Sequence, residues 1–242
     1  MTRGYPDYGI DEEFGKLLMP TDIAELAARL GSIHTWDRRG DIVAYDDFEE
    51  PVLKWTDGFS SPLCYAALDT TNALSGSQSM LLHTRGNLND YSAVLKAYNV
   101  LKSRRIGIEW AFGNLAGNRY LQLVIQRYDG VRHKEGGLRY NPSTEKISLM
   151  NTGGTYDEII DTGPIAIHYF MFVKAKLVVD FNTGKYVRLC FTNSEHDLSS
   201  YGLHDTGSPL GEMMYFNARL HNLVATEGNV WLDDFIVTQR EP

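Results

Sequence analysis

The closing run of this chain, Val230-Trp-Leu-Asp-Asp-Phe-Ile-Val237, most constrains what it can fold into, because an earlier run, Ala44-Tyr-Asp-Asp-Phe-Glu49, repeats its pattern. Each is short, rich in β-branched and aromatic residues, places two acids ahead of a Phe and is bounded by polar turn residues, as strands of all-β domains are. The echo predicts that the first and last strands of one sandwich lie side by side.

From Ala44 onward strand and turn signals alternate. Strands are expected near residues 44–49, 64–69, 78–84, 91–100, 105–112, 120–129, 132–140, 146–150, 156–160, 168–180, 186–192, 195–198, 213–225 and 229–239. Asp129-Gly130, Asn141-Pro-Ser-Thr-Glu145, Asn182-Thr-Gly184 and Glu227-Gly-Asn229 supply turn chemistry between them. In Tyr120-Leu-Gln-Leu-Val-Ile-Gln126, Leu121, Leu123 and Ile125 face one way and Gln122 and Gln126 the other. Many such strands with no helix among them imply two packed antiparallel sheets in one domain, 44–242, which 242 residues can fill.

Ahead of it, residues 1–43 read as an N-terminal arm. Residues 1–19 mix Gly, Pro, Tyr and acids without a period, and a short helix is expected over about 21–31, capped by Asp22 with Glu25 and ended by Gly31. Its apolar face, Ile23, Leu26, Ala27 and Leu30, is an assembly surface that docks on the chain's own sandwich or on another subunit. Arg39-Gly-Asp41 reads as a turn between two extended pieces.

A net charge of −8 argues against nucleic acid. No apolar run is long enough to cross a membrane as a helix, and the first residues lack a signal-peptide core. Cys64 and Cys190 fall in expected strands without metal or redox spacing, which predicts buried free thiols. The seven His form no zinc motif.

Asp46-Asp-Phe-Glu49, Trp55, Ser75-Gly-Ser-Gln-Ser-Met-Leu-Leu82 and the closing Leu232-Asp-Asp-Phe-Ile-Val237 resemble the concanavalin A-like and carbohydrate-binding jelly rolls. Lys176-Leu-Val-Val-Asp-Phe-Asn-Thr-Gly-Lys-Tyr-Val-Arg-Leu189 is similar to the central hairpin of laminin G-like sandwiches. The expected fold is therefore an all-β, two-sheet antiparallel jelly-roll sandwich with an N-terminal arm and one short helix. Glu25-Leu-Ala-Ala-Arg-Leu-Gly-Ser-Ile33, with Asp37-Arg-Arg-Gly40, is similar to the N-terminal region of uncharacterised phage virion proteins.

The jelly-roll resemblance implies a structural calcium held by Glu49, Asp234 and backbone near Gly76; the plain alternative is solvated or salt-bridged acids and no cofactor. Asp180-Phe-Asn-Thr-Gly184 opens like a calcium loop, but strands flank it and Phe191 stands where a Glu is required, so a hairpin is expected. Glu109 is the best candidate for a glycosidase carboxylate, yet no second acid shares its strand face, so no residue is assigned as catalytic. Polysaccharide lyases of similar fold use Gln, His, Arg and Tyr, types that Gln122, Arg139, His168 and Tyr169 supply without the local motifs. For sugar stacking the candidates are Trp55, Trp110 and Tyr201 among many aromatics, with a long polar loop at Ser194–Gly211.

These residues support two readings. One is a non-enzymatic virion component, a capsid decoration or head or tail accessory protein that joins other subunits or itself through its arm. The alternative is a carbohydrate-binding module, extracellular as part of a larger protein.

Overall fold

The computed structural model describes residues 39–101, 103–165 and 171–242. The expected arm, its helix and the docking face of Ile23, Leu26, Ala27 and Leu30 lie outside the described residues. In chain order the strands are β1 (Asp41–Asp46), β2 (Thr56–Phe59), β3 (Tyr65–Asp69), β4 (Ser79–Thr84), β5 (Tyr91–Tyr98), β6 (Arg105–Gly113), β7 (Arg119–Tyr128), β8 (Arg132–Asn141), β9 (Lys146–Met150), β10 (Tyr156–Asp161), β11 (Phe172–Asp180), β12 (Lys185–Phe191), β13 (Ser194–Asp197), β14 (His204–Gly207), β15 (Met213–Asn222) and β16 (Gly228–Gln239). The described residues contain no helix.

Two antiparallel sheets result. Sheet A runs β13-β12-β11-β6-β16-β4-β3 with β1 also on β16; sheet B runs β10-β9-β8-β7-β15-β5-β2 with β14 on β8. Period-two alternation decides what lies between them. Leu121, Leu123 and Ile125 of β7, Leu138 and Tyr140 of β8 and Phe216, Ala218 and Leu220 of β15 meet Ile108, Trp110 and Phe112 of β6 and Leu177 and Val179 of β11 in one apolar core.

The first and last strands do pair. β1 lies antiparallel to β16 from Asp41↔Gln239 to Asp46↔Phe235, and the other end of β16 pairs β4 from Gly228↔Thr84 to Leu232↔Met80. Between the two partners sit Asp233 and Asp234, where the register with β6 shifts and Asp234 takes φ 50°. The paired acids are thus a β-bulge, a local irregularity that re-aims side chains.

β1 also begins and ends earlier than expected. The Asp46 carboxylate accepts the Phe48 N–H at 3.1 Å and Phe48 turns to φ 59°, which carries Asp47 and Glu49 off the sheet. Cys64 is buried just ahead of β3 rather than within it, and Cys190 is buried in β12; both are free thiols. At Asp180–Gly184 the Asp180 carboxylate accepts the N–H groups of Asn182 (2.8 Å) and Thr183 (3.2 Å), closing the expected hairpin. β2 and β14 had no sequence signal: Thr56-Asp-Gly-Phe59 and His204-Asp-Thr-Gly207 are polar edge segments, recruited by backbone pairing to β5 and β8. The Ser194–Gly211 stretch is therefore partly sheet.

On the outer side of sheet A, Lys176 is buried between Glu109 (3.1 Å) and Glu241 (2.7 Å), and Arg188 also bonds Glu241. Two cations against two carboxylates neutralise a desolvated cluster, which is costly to unbalance. Lys176→Met is expected to lower unfolding free energy by about 3–5 kcal/mol, the usual cost of stripping one partner from a buried pair, as read by urea denaturation. A loss under about 1 kcal/mol would show that the cluster contributes nothing.

Candidate functional site

The bulge and the 72–78 loop form one corner. Asp233 Oδ2 accepts the N–H groups of Leu74 (2.8 Å) and Ser75 (3.1 Å), while Asp234 Oδ1 accepts the hydroxyls of Ser75 (2.8 Å) and Tyr45 (3.2 Å). Glu49 accepts the N–H of Ser77 (2.8 Å) and of Gln78 (2.9 Å) and the Ser77 hydroxyl (2.7 Å), which hold its carboxyl below the usual range. Gly76 sits at φ +65° against Glu49, where an added Cβ would fall 2.3 Å from Oε1, so a side chain there would strain the backbone and displace the Glu49 carboxylate from its donors.

Of the three residues named for calcium, Gly76 lies in the loop and Glu49 and Asp234 flank it, with hydrogen-bond donors on both carboxylates. No group of three or more His, Cys, Asp or Glu is placed to hold an ion among the described residues. Structural calcium at Glu49, Gly76 and Asp234 stays a proposal, checked by melting the protein with and without EDTA: a cation holding this corner gives a lower Tm on chelation, and an unchanged Tm assigns the corner to its hydrogen bonds.

The sugar-stacking candidates are not brought together. Trp55 (7% exposed) and Trp110 (3%) are core residues lining one apolar cavity of about 10 Å³, and Trp55 meets Phe235 edge-on at 4.9 Å. Rings spent on the core cannot stack on a sugar from solvent, so these two positions are corrected. Tyr201, 38% exposed, lies in the segment between β13 and β14. Glu109, the carboxylate weighed for glycoside hydrolysis, is likewise spent on Lys176.

The outer face of sheet B carries the chemistry instead. Each core residue of its strands leaves its neighbours outward: Tyr120, Gln122, Val124, Gln126 and Tyr128 on β7, His133, Glu135, Gly137 and Arg139 on β8, and Tyr215, Asn217, Arg219 and His221 on β15. Register sets Arg219 opposite Gln122 and Gln122 opposite Arg139, and sets His221 opposite both Tyr120 and Tyr91. Gln122 Oε1 accepts the Arg139 Nε–H at 2.8 Å. The Arg139 guanidinium lies 3.6 Å from the Tyr156 ring and 4.6 Å from the Tyr120 ring, and that of Arg219 4.6 Å from the Tyr91 ring. Tyr120 stacks on His221 at 4.7 Å and Tyr128 on His133 at 4.3 Å. Gly137 admits the Tyr156 hydroxyl, which an added Cβ would meet at 2.3 Å.

Electrostatics follow from this packing. Burial, reinforced by Arg139 and Arg219, lowers the basicity of His221, keeping it neutral at neutral pH. Burial lowers His133 as well, against the opposing pull of Glu135, whose Oε2 is 3.4 Å from Nε2. Burial raises Tyr156, with Arg139 opposing, so its hydroxyl keeps its proton. Among the described residues, the buried polar atoms without a hydrogen-bond partner include Tyr156 Oη, Arg219 Nε and His221 Nδ1 of this face. Of the lyase-type set, Gln122 and Arg139 are adjacent here, while His168 and Tyr169 lie outside the described residues.

No family model matches the sequence, and no curated protein matches it. Solved structures do. The endo-β-1,4-glucuronan lyase from the fungus Trichoderma reesei superposes with TM-score 0.57 at 10% identity, covering 82% of this chain and 95% of that one. A protein of unknown function with galectin-like fold from Bacillus subtilis gives 0.53 at 12%, covering 84% and 97%. The fold is a two-sheet jelly-roll sandwich. At such identities the likeness shows the fold alone. The CBM22-1 xylan-binding domain from Paenibacillus barcinonensis Xyn10C gives 0.41 at 14%, covering 86% and 99%, a score that carries no argument. None of these comparisons supports the phage similarity of the N-terminal region or the virion reading built on it.

One titration in the corner has a definite sign. Burial, with the neighbouring Asp234 adding to it, pushes the Asp233 carboxyl up to about 7 against backbone donors that oppose the shift. The folded state therefore holds the proton that the unfolded chain releases near pH 4. This contribution to stability is complete below about pH 4 and is lost as pH rises through about 7. Relative to Asp233→Asn, the wild-type protein is expected to lose Tm steadily from pH 4 to pH 8, as scanning calorimetry would read; a constant difference across that range refutes the assignment.

Proposed function

We propose that the chain is a carbohydrate-binding sandwich whose ligand lies across the outer face of sheet B. One observation carries the reading: that face sets the rings of Tyr91, Tyr120 and Tyr156 beside the guanidinium groups of Arg139 and Arg219, and among the described residues Tyr156 Oη, Arg219 Nε and His221 Nδ1 are buried beneath it without a hydrogen-bond partner. Sugars present both an apolar ring face, which packs on aromatic side chains, and a rim of hydroxyls, which needs donors and acceptors at fixed places. A rigid sheet surface supplies them with little reorganisation, because neighbouring strands fix the side chains before the ligand arrives. The Trichoderma reesei neighbour, itself named for a glycan, supports the same direction. The role is binding, with no residue assigned as catalytic.

Full-length protein on a glycan array is expected to retain a defined set of oligosaccharides. A Tyr91→Ala, Tyr120→Ala double variant should lose that retention at least tenfold while its Tm stays within a few degrees of the parent, since each ring contributes about 1 kcal/mol. An array with no retained glycan, or retention unaffected by the double variant, would overturn the assignment of this face.

A further inference from the structure

We propose that the glycan taken by this face is acidic, a chain of uronic-acid residues with one carboxylate held between Arg139 and Arg219. The inference rests on the carbohydrate reading above and names its ligand class.

The charge on this face is the first observation. Register puts Arg219 of β15 and Arg139 of β8 on either side of Gln122 of β7, one strand apart each. With strands about 4.8 Å apart, their backbones are separated by about 10 Å, and both side chains rise from the same surface. Among the described residues neither guanidinium has a carboxylate within ion-pair distance; Arg39, Arg105, Arg132, Arg188 and Arg240 each do, while Arg85, Arg104, Arg119 and Arg127 also lack one, so what distinguishes Arg139 and Arg219 is that they share this face. Two guanidinium groups so placed form a local positive site in a chain with 31 acids against 23 basic residues.

Their donors are the second. Arg139 spends Nε on Gln122, and Arg219 Nε is buried without an acceptor. That Nε lies beneath the face, so the ends of the two guanidinium groups, which make no hydrogen bond among the described residues, are what can meet an acceptor from outside. Planar guanidinium forks fit the two oxygens of a carboxylate. The rings of Tyr156 and Tyr120 hold Arg139, and that of Tyr91 supports Arg219, so the forks are fixed in advance. Beside them stand the partly exposed rings of Tyr91 and Tyr120, which can pack on the apolar face of a uronate ring. Of the acids of this face, Glu135 is engaged by the Gln126 amide at 2.7 Å and Glu158 by Lys146 at 2.9 Å.

The test is calorimetric titration of the full chain with oligomers of glucuronate, mannuronate and galacturonate, each beside its carboxyl-reduced counterpart, with dextran sulfate and polyglutamate as polyanion controls. At least one uronate oligomer is expected to bind at least tenfold more tightly than its reduced form and than either polyanion, with affinity falling as salt rises. Arg139→Gln and Arg219→Gln should each weaken it by about tenfold, the scale of one charge-assisted hydrogen bond, and Arg219→Lys by less. Arg240→Gln, at the far sheet beside Asp41, should leave it unchanged. Equal affinity for the reduced form overturns the acidic ligand and leaves the carbohydrate reading intact. Equal affinity for dextran sulfate or polyglutamate overturns it as plain charge attraction. Binding of no oligomer in either form overturns both. The comparison of acidic and reduced ligands needs no variant, so a misfolded substitution cannot rescue the idea.

Discussion

A β-strand shows its side chains alternately to two faces, and the rest of this molecule depends on that constraint. Every residue of β7, β8 and β15 committed to the core leaves a neighbour outside. Leu121, Leu123 and Ile125 bury the inner face of β7, and the same geometry delivers Tyr120, Gln122 and Gln126 to the outer one. The core and the candidate site are therefore two sides of one set of hydrogen-bonded strands. A one-residue slip of β7 against β8 would expose the leucines and also separate Gln122 from Arg139.

The bulge in β16 is where that constraint is relaxed. The strand changes partner from β4 to β1 at this point, and its ladder to β6 resumes beyond the bulge with a shifted register. The carboxylates thus re-aimed are used locally: Asp233 and Asp234 hold the 74–75 backbone and the Ser75 and Tyr45 hydroxyls, and Glu49 ties the same loop from the other side. The acids that mark the sequence pattern thereby fasten a sandwich corner. Sheet A's outer face solves a different problem, burying Lys176, Glu109, Arg188 and Glu241 as a balanced cluster. Sheet B's outer face leaves its two arginines unbalanced, and this difference between the faces supports placing the ligand there.

Much of the strand order was legible. Alternation marks β7, the Asp-Gly and Asn-Thr-Gly turns mark hairpins, and the echo between residues 44–49 and 230–237 announces the pairing of β1 with β16. The edge strands β2 and β14 were not, because they are polar and are held by backbone pairing that no side-chain pattern reports. The site was legible only in parts. Gln122 and Arg139 were singled out by type, yet their partners Arg219 and His221 lie far along the chain, and a β15 strand that pairs β7 on one side and β5 on the other brings them in. Trp55 and Trp110 carried the stronger stacking signal and went to the core.

Period and turn chemistry are local properties, so an all-β chain, the approximate ends of most strands and the residues that share a strand face can be read from the order of amino acids alone. Only the tertiary structure decided which face of each strand looks inward and which strands stand side by side. Those choices depend on packing two sheets against each other and on pairings across more than a hundred residues. They turn two tryptophans into core and leave Arg139 and Arg219 flanking Gln122 on the outer face of sheet B.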